Sequence, residues 1–291
     1  MRDIKYSIII PHKNTPHLLT RCLATIPEAE EFQVIIVDDA SDPDLVDFEK
    51  FPGGLRANTE IYFDKKGKGA GYARNIGMQY AKGKWLIFAD ADDFYNGCFV
   101  TAIERNFESE ADIIYFSATS VDSGDLSPGS RHLGTVRAIT NYNSNDISTI
   151  DGLKFSNWEP WARLFNHGFI RDKLIQFDEV MVGNDAGFVL KAGFLSKTVA
   201  VDKSPICCVT FRKESISFII GDRAFFERFK AKVLVNNYMI DMKKSYYRPL
   251  KDDILESRKY GFVTMGSMLL LARRYLSHKL KMKLKATFVF L

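Results

Sequence analysis

Three short, uninterrupted apolar runs, each closing on polar or acidic residues, constrain the fold of this chain more than anything else in it. Tyr6–Ile10 runs into Pro11-His12-Lys13-Asn14, Val34–Val37 into Asp38-Asp39, and Trp85–Ala89 into Asp90-Ala91-Asp92-Asp93. A strand without polar alternation must be covered on both faces. The intervening segments can supply that cover. Leu18, Leu19, Cys22, Leu23 and Ile26 recur at helical spacing behind Thr15-Pro16, a helix-start pair, and Gly71–Ala81 reads as a second helix closed by Gly83. Glu60–Phe63 is a weaker strand and Asp112–Ser117 a further one. Apolar strands alternating with helices predict an α/β fold with a mostly parallel central sheet flanked by helices. Ligands of such sheets bind beyond the carboxyl ends of the strands. The three polar closures are therefore where chemistry is expected.

The second half is harder to read. Asp122–Asn157 is rich in Ser, Asn, Gly and Asp and is predicted to be loops, with a hairpin near Gly134–Ile139. Ala186–Leu195 reads as a helix behind Gly183-Asn184-Asp185, and Thr198–Phe211 as a strand. Asp222–Lys243 and then Leu250–Leu276 read as helices. The organisation expected is a catalytic-type domain over residues 1–215, divided at about residue 120, and a helical C-terminal extension over 216–291.

Charge is uneven along the chain. From Ser257 onward there are eight Lys or Arg and no Asp or Glu, which leaves a body of 32 basic and 36 acidic residues. A globally basic nucleic-acid binder is thereby excluded. A localised basic tail with Phe262, Met265, Met268, Leu269 and Leu271 beside it suits an anionic membrane surface, or equally a helix packed on the body. Cys22, Cys98, Cys207 and Cys208 form no C-x-x-C pair and read as reduced thiols. Neither a signal peptide nor a membrane-length apolar run is visible, so the expected location is the cytoplasm, with a peripheral place on the membrane open to the tail.

Five groups of residues can carry chemistry. Asp90, Asp92 and Asp93 repel one another unless something offsets them, and a hard divalent cation does so. A solvated turn with Asp93 capping the next helix is an equal reading of the spacing. Asp39 can accept hydrogen bonds from a base or ribose, although Asp38–Pro43 also makes a good turn. Lys68, among Gly67, Gly69 and Gly71, and Arg74 can offset diphosphate charge. Asp185 can serve as a general base or as a helix cap. Trp158 and Trp161 can stack on a sugar ring or fill a core.

Taken together and in order, these segments resemble the family 2 glycosyltransferases of GT-A fold, of the bacterial surface-polysaccharide type. The resemblance rests on Ser7–Asn14, Val34–Ser41, Ala73-Arg74-Asn75-Ile76-Gly77, Asp90–Asp93, Trp161–Phe165 with Asn184-Asp185, and Phe211-Arg212 with Ser215. It implies a transfer of sugar from a nucleotide-diphosphate sugar, UDP-linked by family expectation, to a glycan or lipid-linked acceptor hydroxyl with inversion. Asp39 would contact the base in a pocket shaped by Pro11 and Asn14. Arg74 would lie near the donor. Asp90 would meet the ribose or sugar, with Ala91 beside it. Asp92 would bind Mn²⁺ or Mg²⁺, and Asp185 would be the base. Trp158, Trp161, Asn184 and Arg212 would face the acceptor. Two residues depart from the family pattern: Asn184 replaces the usual Glu, and Lys13 a frequent aromatic. A nucleotide-sugar binder of this fold without turnover, or a sugar nucleotidyltransferase, are the alternatives.

Overall fold

The computed structural model describes residues 4–212 and 222–289. Along the chain these form β1 (Tyr6–His12), α1 (Pro16–Ala24), β2 (Phe32–Asp39), β3 (Thr59–Asp64), α2 (Ala70–Tyr80), β4 (Trp85–Phe88), β5 (Phe94–Tyr95), α3 (Phe99–Arg105), β6 (Ile113–Asp122), α4 (Leu133–Asn141), α5 (Ile147–Phe155), β7 (Arg163–Asn166), α6 (His167–Asp172), α7 (Asn184–Leu195) and β8 (Val199–Phe211). Then come α8 (Asp222–Asp241), α9 (Lys251–Glu256) and α10 (Phe262–Val289). Two compact units separate, Met1–Lys213 and Glu214–Leu291. The expected boundary at residue 215, and Ser215 itself, lie outside the described residues.

In the first unit one sheet runs in the order β3-β2-β1-β4-β7-β6-β8-β5. β1 to β4 pair in parallel and β6 pairs in parallel with β8, whereas β7 and the short β5 run antiparallel to their neighbours. Every residue of β1, β2 and β4 is buried. Alternate residues divide between two cores. Ile8, Ile10, Val34 and Ile36 join Leu19, Cys22 and Leu23 of α1 on one face, and Ile9, Ile35 and Val37 join Ala73 of α2 and Phe188 of α7 on the other. A one-residue slip would exchange the two sets, so the register is firmly held. Burying each such side chain contributes about 1.5–3 kcal/mol. Gly77 lets α2 lie directly on β1, because a Cβ there would stand 2.5 Å from Ile9 Cγ2.

The structure corrects the reading of the middle of the chain. Residues 133–141 and 147–155 are the helices α4 and α5, not a hairpin and loops. Only Ile139 of α4 is buried, so the apolar signal that marks a helix is nearly absent there. In the second unit, Phe225, Phe229 and Val233 of α8 pack with Leu250, Met268, Ala272 and Tyr275. The helical stretch expected over 250–276 is broken at Gly261, whose φ of +96° favours glycine, and α10 then continues well past residue 276. Among the described residues no helix is long and apolar enough to cross a membrane.

Candidate active site

The carboxyl ends of β1, β2 and β4 open side by side, since His12 lies opposite Asp38 and β1 also pairs with β4. The two aspartates closing β2 have different work. Asp38 is buried and fully engaged: its Oδ2 accepts from His12 Nδ1 at 2.8 Å and from Ser41 Oγ, and its Oδ1 from Ser41 N. His12 Nε2 accepts from Thr15 N at 3.2 Å, which leaves the proton on Nδ1. Burial raises the Asp38 carboxyl, but these hydrogen bonds outweigh it and hold it below its usual range. Asn14 belongs to the same network. Its N–H donates to Ser41 Oγ, and its Oδ1 accepts from Asp42 N. The network ties the two loops together and leaves Asp39, also buried, outside it.

Asp39 accepts from Gly69 N through both oxygens, at 3.1 and 3.0 Å, and Lys13 Nζ stands 3.7 Å from it. Burial pushes its carboxyl up, against the pull of Lys13. Pro11 is buried within β1 beside this group. Lys68 stands further out, paired at 3.2 Å with Glu179 and resting over the Tyr72 ring.

Arg74 is the centre of the site. It is 3% exposed, and its guanidinium donates to Asp90 Oδ1 at 2.5 Å, to Asp185 Oδ1 at 2.6 Å and to Asn184 Oδ1 at 2.9 Å. One side chain thus gathers the end of β4, the start of α7 and its own helix α2. Close packing makes this reach workable. A Cβ on Gly71 would stand 2.4 Å from the Asp178 carbonyl and 2.8 Å from Asn184 Cβ. Helix α7 is preceded by Gly183 at φ +75°, so Asp185 sits inside the first turn and does not cap it. Burial pushes the Asp185 carboxyl up, Arg74 draws it back, and Asp90 and Glu159 raise it again, leaving it at about 6.

Asp90, Asp92 and Asp93 each offer an oxygen within 4.8 Å of the others. Asp93 caps no helix: it is buried and accepts from Thr210 N on β8 at 2.7 Å. Burial and the neighbouring carboxylates push both Asp92 and Asp93 up, Asp93 furthest. Arg21 is spent on the Asp92 carbonyl and Ser123. Arg212 Nε stands 3.4 Å from Asp92 Oδ2, which places Arg212 beside the acidic turn. Clustered, mutually repelling oxygens of this kind suit a hard divalent cation. Ala91 is buried between them.

The two tryptophans separate. Trp161 is 5% exposed and belongs to the core under the acidic turn, whereas Trp158 is half-buried. Sequence reasoning passed over Arg21, Arg131 and Glu159, and noted His12 at the end of the first strand without giving it a role. Only His12 carried a signal, a histidine at a strand end beside an acidic neighbouring strand. Arg131 and Glu159 act on Asp185 from far away in the sequence.

An α/β sheet with an acidic turn closing β4, joined through Arg74 to a carboxylate at the start of α7, is the arrangement of the nucleotide-sugar transferases of GT-A fold. The chain belongs to Glycosyl transferase family 2, whose profile matches residues 7–171. It is 26% identical over 205 residues to the poly(ribitol-phosphate) beta-N-acetylglucosaminyltransferase TarS of Staphylococcus aureus strain Mu50, covering 68% of this chain and 34% of that protein. The chain therefore spans about a third of the length of that relative. The crystal structure of S. aureus TarS 1-349 in complex with UDP-GlcNAc superimposes with a TM-score of 0.63 at 18% identity, covering 92% of this chain and 72% of that one. The mannosyltransferase PcManGT of Pyrobaculum calidifontis, in complex with GDP-Man and Mn²⁺, has the same fold, with a TM-score of 0.58 at 15% identity over 99% of this chain and 81% of that one.

Proposed function

We propose that this chain transfers a sugar from a UDP-sugar to an acceptor hydroxyl of a growing surface glycan, free or lipid-linked, with inversion at the anomeric carbon. The observation that carries this reading is Arg74, which holds Asp90 and Asp185 on one guanidinium. Donor-side and acceptor-side carboxylates then border one pocket.

Asp185 Oδ1 is taken by Arg74, which leaves Oδ2 to receive a proton. The acceptor hydroxyl gives that proton to Asp185 as its oxygen bonds to the anomeric carbon. The bond from that carbon to the diphosphate oxygen breaks, and the nucleoside diphosphate leaves with the electron pair. Asp92, with Asp90 and Asp93 in reach, would hold Mn²⁺ or Mg²⁺, which when bound supplies counter-charge to the diphosphate. Arg212 and Lys68 border the same charge, and Asp39 with Lys13, Pro11 and Asn14 receives the nucleotide base. Half-buried Trp158 offers the acceptor a ring face. The activity of TarS on poly(ribitol-phosphate) and its complex with UDP-GlcNAc support a UDP donor and a surface-polymer acceptor.

A nucleotide-sugar panel with Mn²⁺ or Mg²⁺, read by thermal stabilisation with Asp92→Ala alongside, tests the donor half. Stabilisation by one donor, dependent on the ion and lost in the variant, is expected. Nucleoside diphosphate release on adding acceptor then separates an enzyme from a binder without turnover, the second reading that Asn184 keeps open. No stabilisation by any donor with either ion would sink the proposal.

A further inference from the structure

Helix α10 has two apolar faces, and only one of them is used within its own unit. Met268, Ala272 and Tyr275 are buried against α8 and Leu250. Met268, read from sequence as part of an apolar helix surface that either meets a membrane or packs on the body, packs within this unit. A different stripe is exposed. Phe262, Leu269, Leu276 and Leu280 follow one another at seven, seven and four residues, which places them along one flank of the helix. Val263 and Leu270 stand beside the first two. Phe262 is 83%, Leu270 62% and Leu280 60% exposed. Isolated exposed leucines are ordinary, but a continuous row of this length marks an interaction surface.

We propose that this flank of α10 lies in the interfacial layer of an anionic membrane, holding the protein on the surface without crossing it. Charge decides the occupant. Arg273 falls within the row, between Leu269 and Leu276, and Lys281 is exposed alongside. No Asp or Glu occurs from Ser257 to the chain end. Two copies packed through this flank would set arginine and lysine against arginine and lysine with no acid to pair them, whereas anionic headgroups match them. The acids on the neighbouring elements are largely engaged: Asp241 with Arg274, Asp253 with Lys232 and Glu256 with Lys259. Aliphatic and aromatic residues beside basic ones are the composition that seats a helix among headgroups and upper acyl chains. The proposal goes beyond sugar transfer and stands independently of it.

Full-length protein is co-sedimented with phosphatidylglycerol–phosphatidylcholine vesicles and with pure phosphatidylcholine vesicles, at low and at high salt. Binding is expected to the anionic vesicles only, to weaken with salt, and to fall roughly tenfold in the doubly substituted Leu276→Glu, Leu280→Glu protein. Both positions are exposed, so the far-ultraviolet spectrum and melting temperature of that variant should match the parent; Arg273→Glu with Lys281→Glu gives a second variant that leaves the apolar row intact. No binding of the parent to anionic vesicles overturns the proposal, as does binding indifferent to lipid charge. Self-association lost in the leucine variant, without vesicle binding, would overturn it in favour of a second copy. Donor binding is read separately, so failure here leaves the transferase reading untouched.

Discussion

Replacing Asp185 with Asn should make the protein more stable near neutral pH while ending turnover. Burial, with Asp90 and Glu159 adding to it and Arg74 opposing, leaves the Asp185 carboxyl at about 6. In an unfolded chain the same group titrates near ~3.9. Between these values the folded protein holds the extra proton, so the contribution of Asp185 to stability is complete below about pH 4 and is lost as pH rises through about 6. A gap of about two units corresponds to roughly 3 kcal/mol. With the side chain 29% exposed, water takes up part of that, and a gain of about 1–3 kcal/mol is expected for the variant at about pH 7.5. Asparagine resembles the protonated acid and keeps an oxygen for Arg74, which now donates to Asp185 at 2.6 Å. Urea unfolding of parent and variant at about pH 4.5 and about pH 7.5 reads the difference, which should be positive at both and about a third as large at the lower pH as at the higher. A variant destabilised at the higher pH, or an offset equal at both, would refute the reasoning.

The same carboxyl gives an activity profile: kcat/KM for transfer should rise with pH through about 6 and then level, because the base must be ionised. A flat profile from pH 5 to 8 would count against Asp185 as base. Removing divalent ions with a chelator, or Asp92→Ala, should abolish donor-dependent stabilisation in the thermal assay while leaving the unliganded protein folded. Gly71→Ala should cost about 1–3 kcal/mol by overpacking and should lower kcat, since the new methyl displaces Asn184 and with it Asp185. Trp161→Ala should destabilise the protein by about 3–5 kcal/mol on chemical denaturation, whereas Trp158→Ala should leave stability nearly unchanged and raise the acceptor KM.

What could be read in the sequence, and what could not, follows from distance along the chain. β1, β2 and β4 were legible because strands buried on both faces need unbroken apolar runs. Helices α4 and α5 were not, because they lie at the surface on few buried residues, and their Ser, Asn and Gly content resembles loop. β5, of two residues, and β7, of four, are too short to show a period. The acidic turn was visible as a local cluster. Its partner Arg74 was visible only as a motif, since the contact with Asp185 closes across 111 positions. Likewise Trp158 and Trp161 look alike in sequence, and only the fold shows which is half-buried and which is packed under Asp93.

A cation that serves several acids sets a limit on how much negative charge can gather around it. Arg74 already meets two carboxylates and one amide oxygen, and Gly71 packs so tightly on Asn184 that a longer side chain there has nowhere to retreat. A glutamate at 184 would therefore put a third negative charge on one buried guanidinium, with Glu159 already raising Asp185.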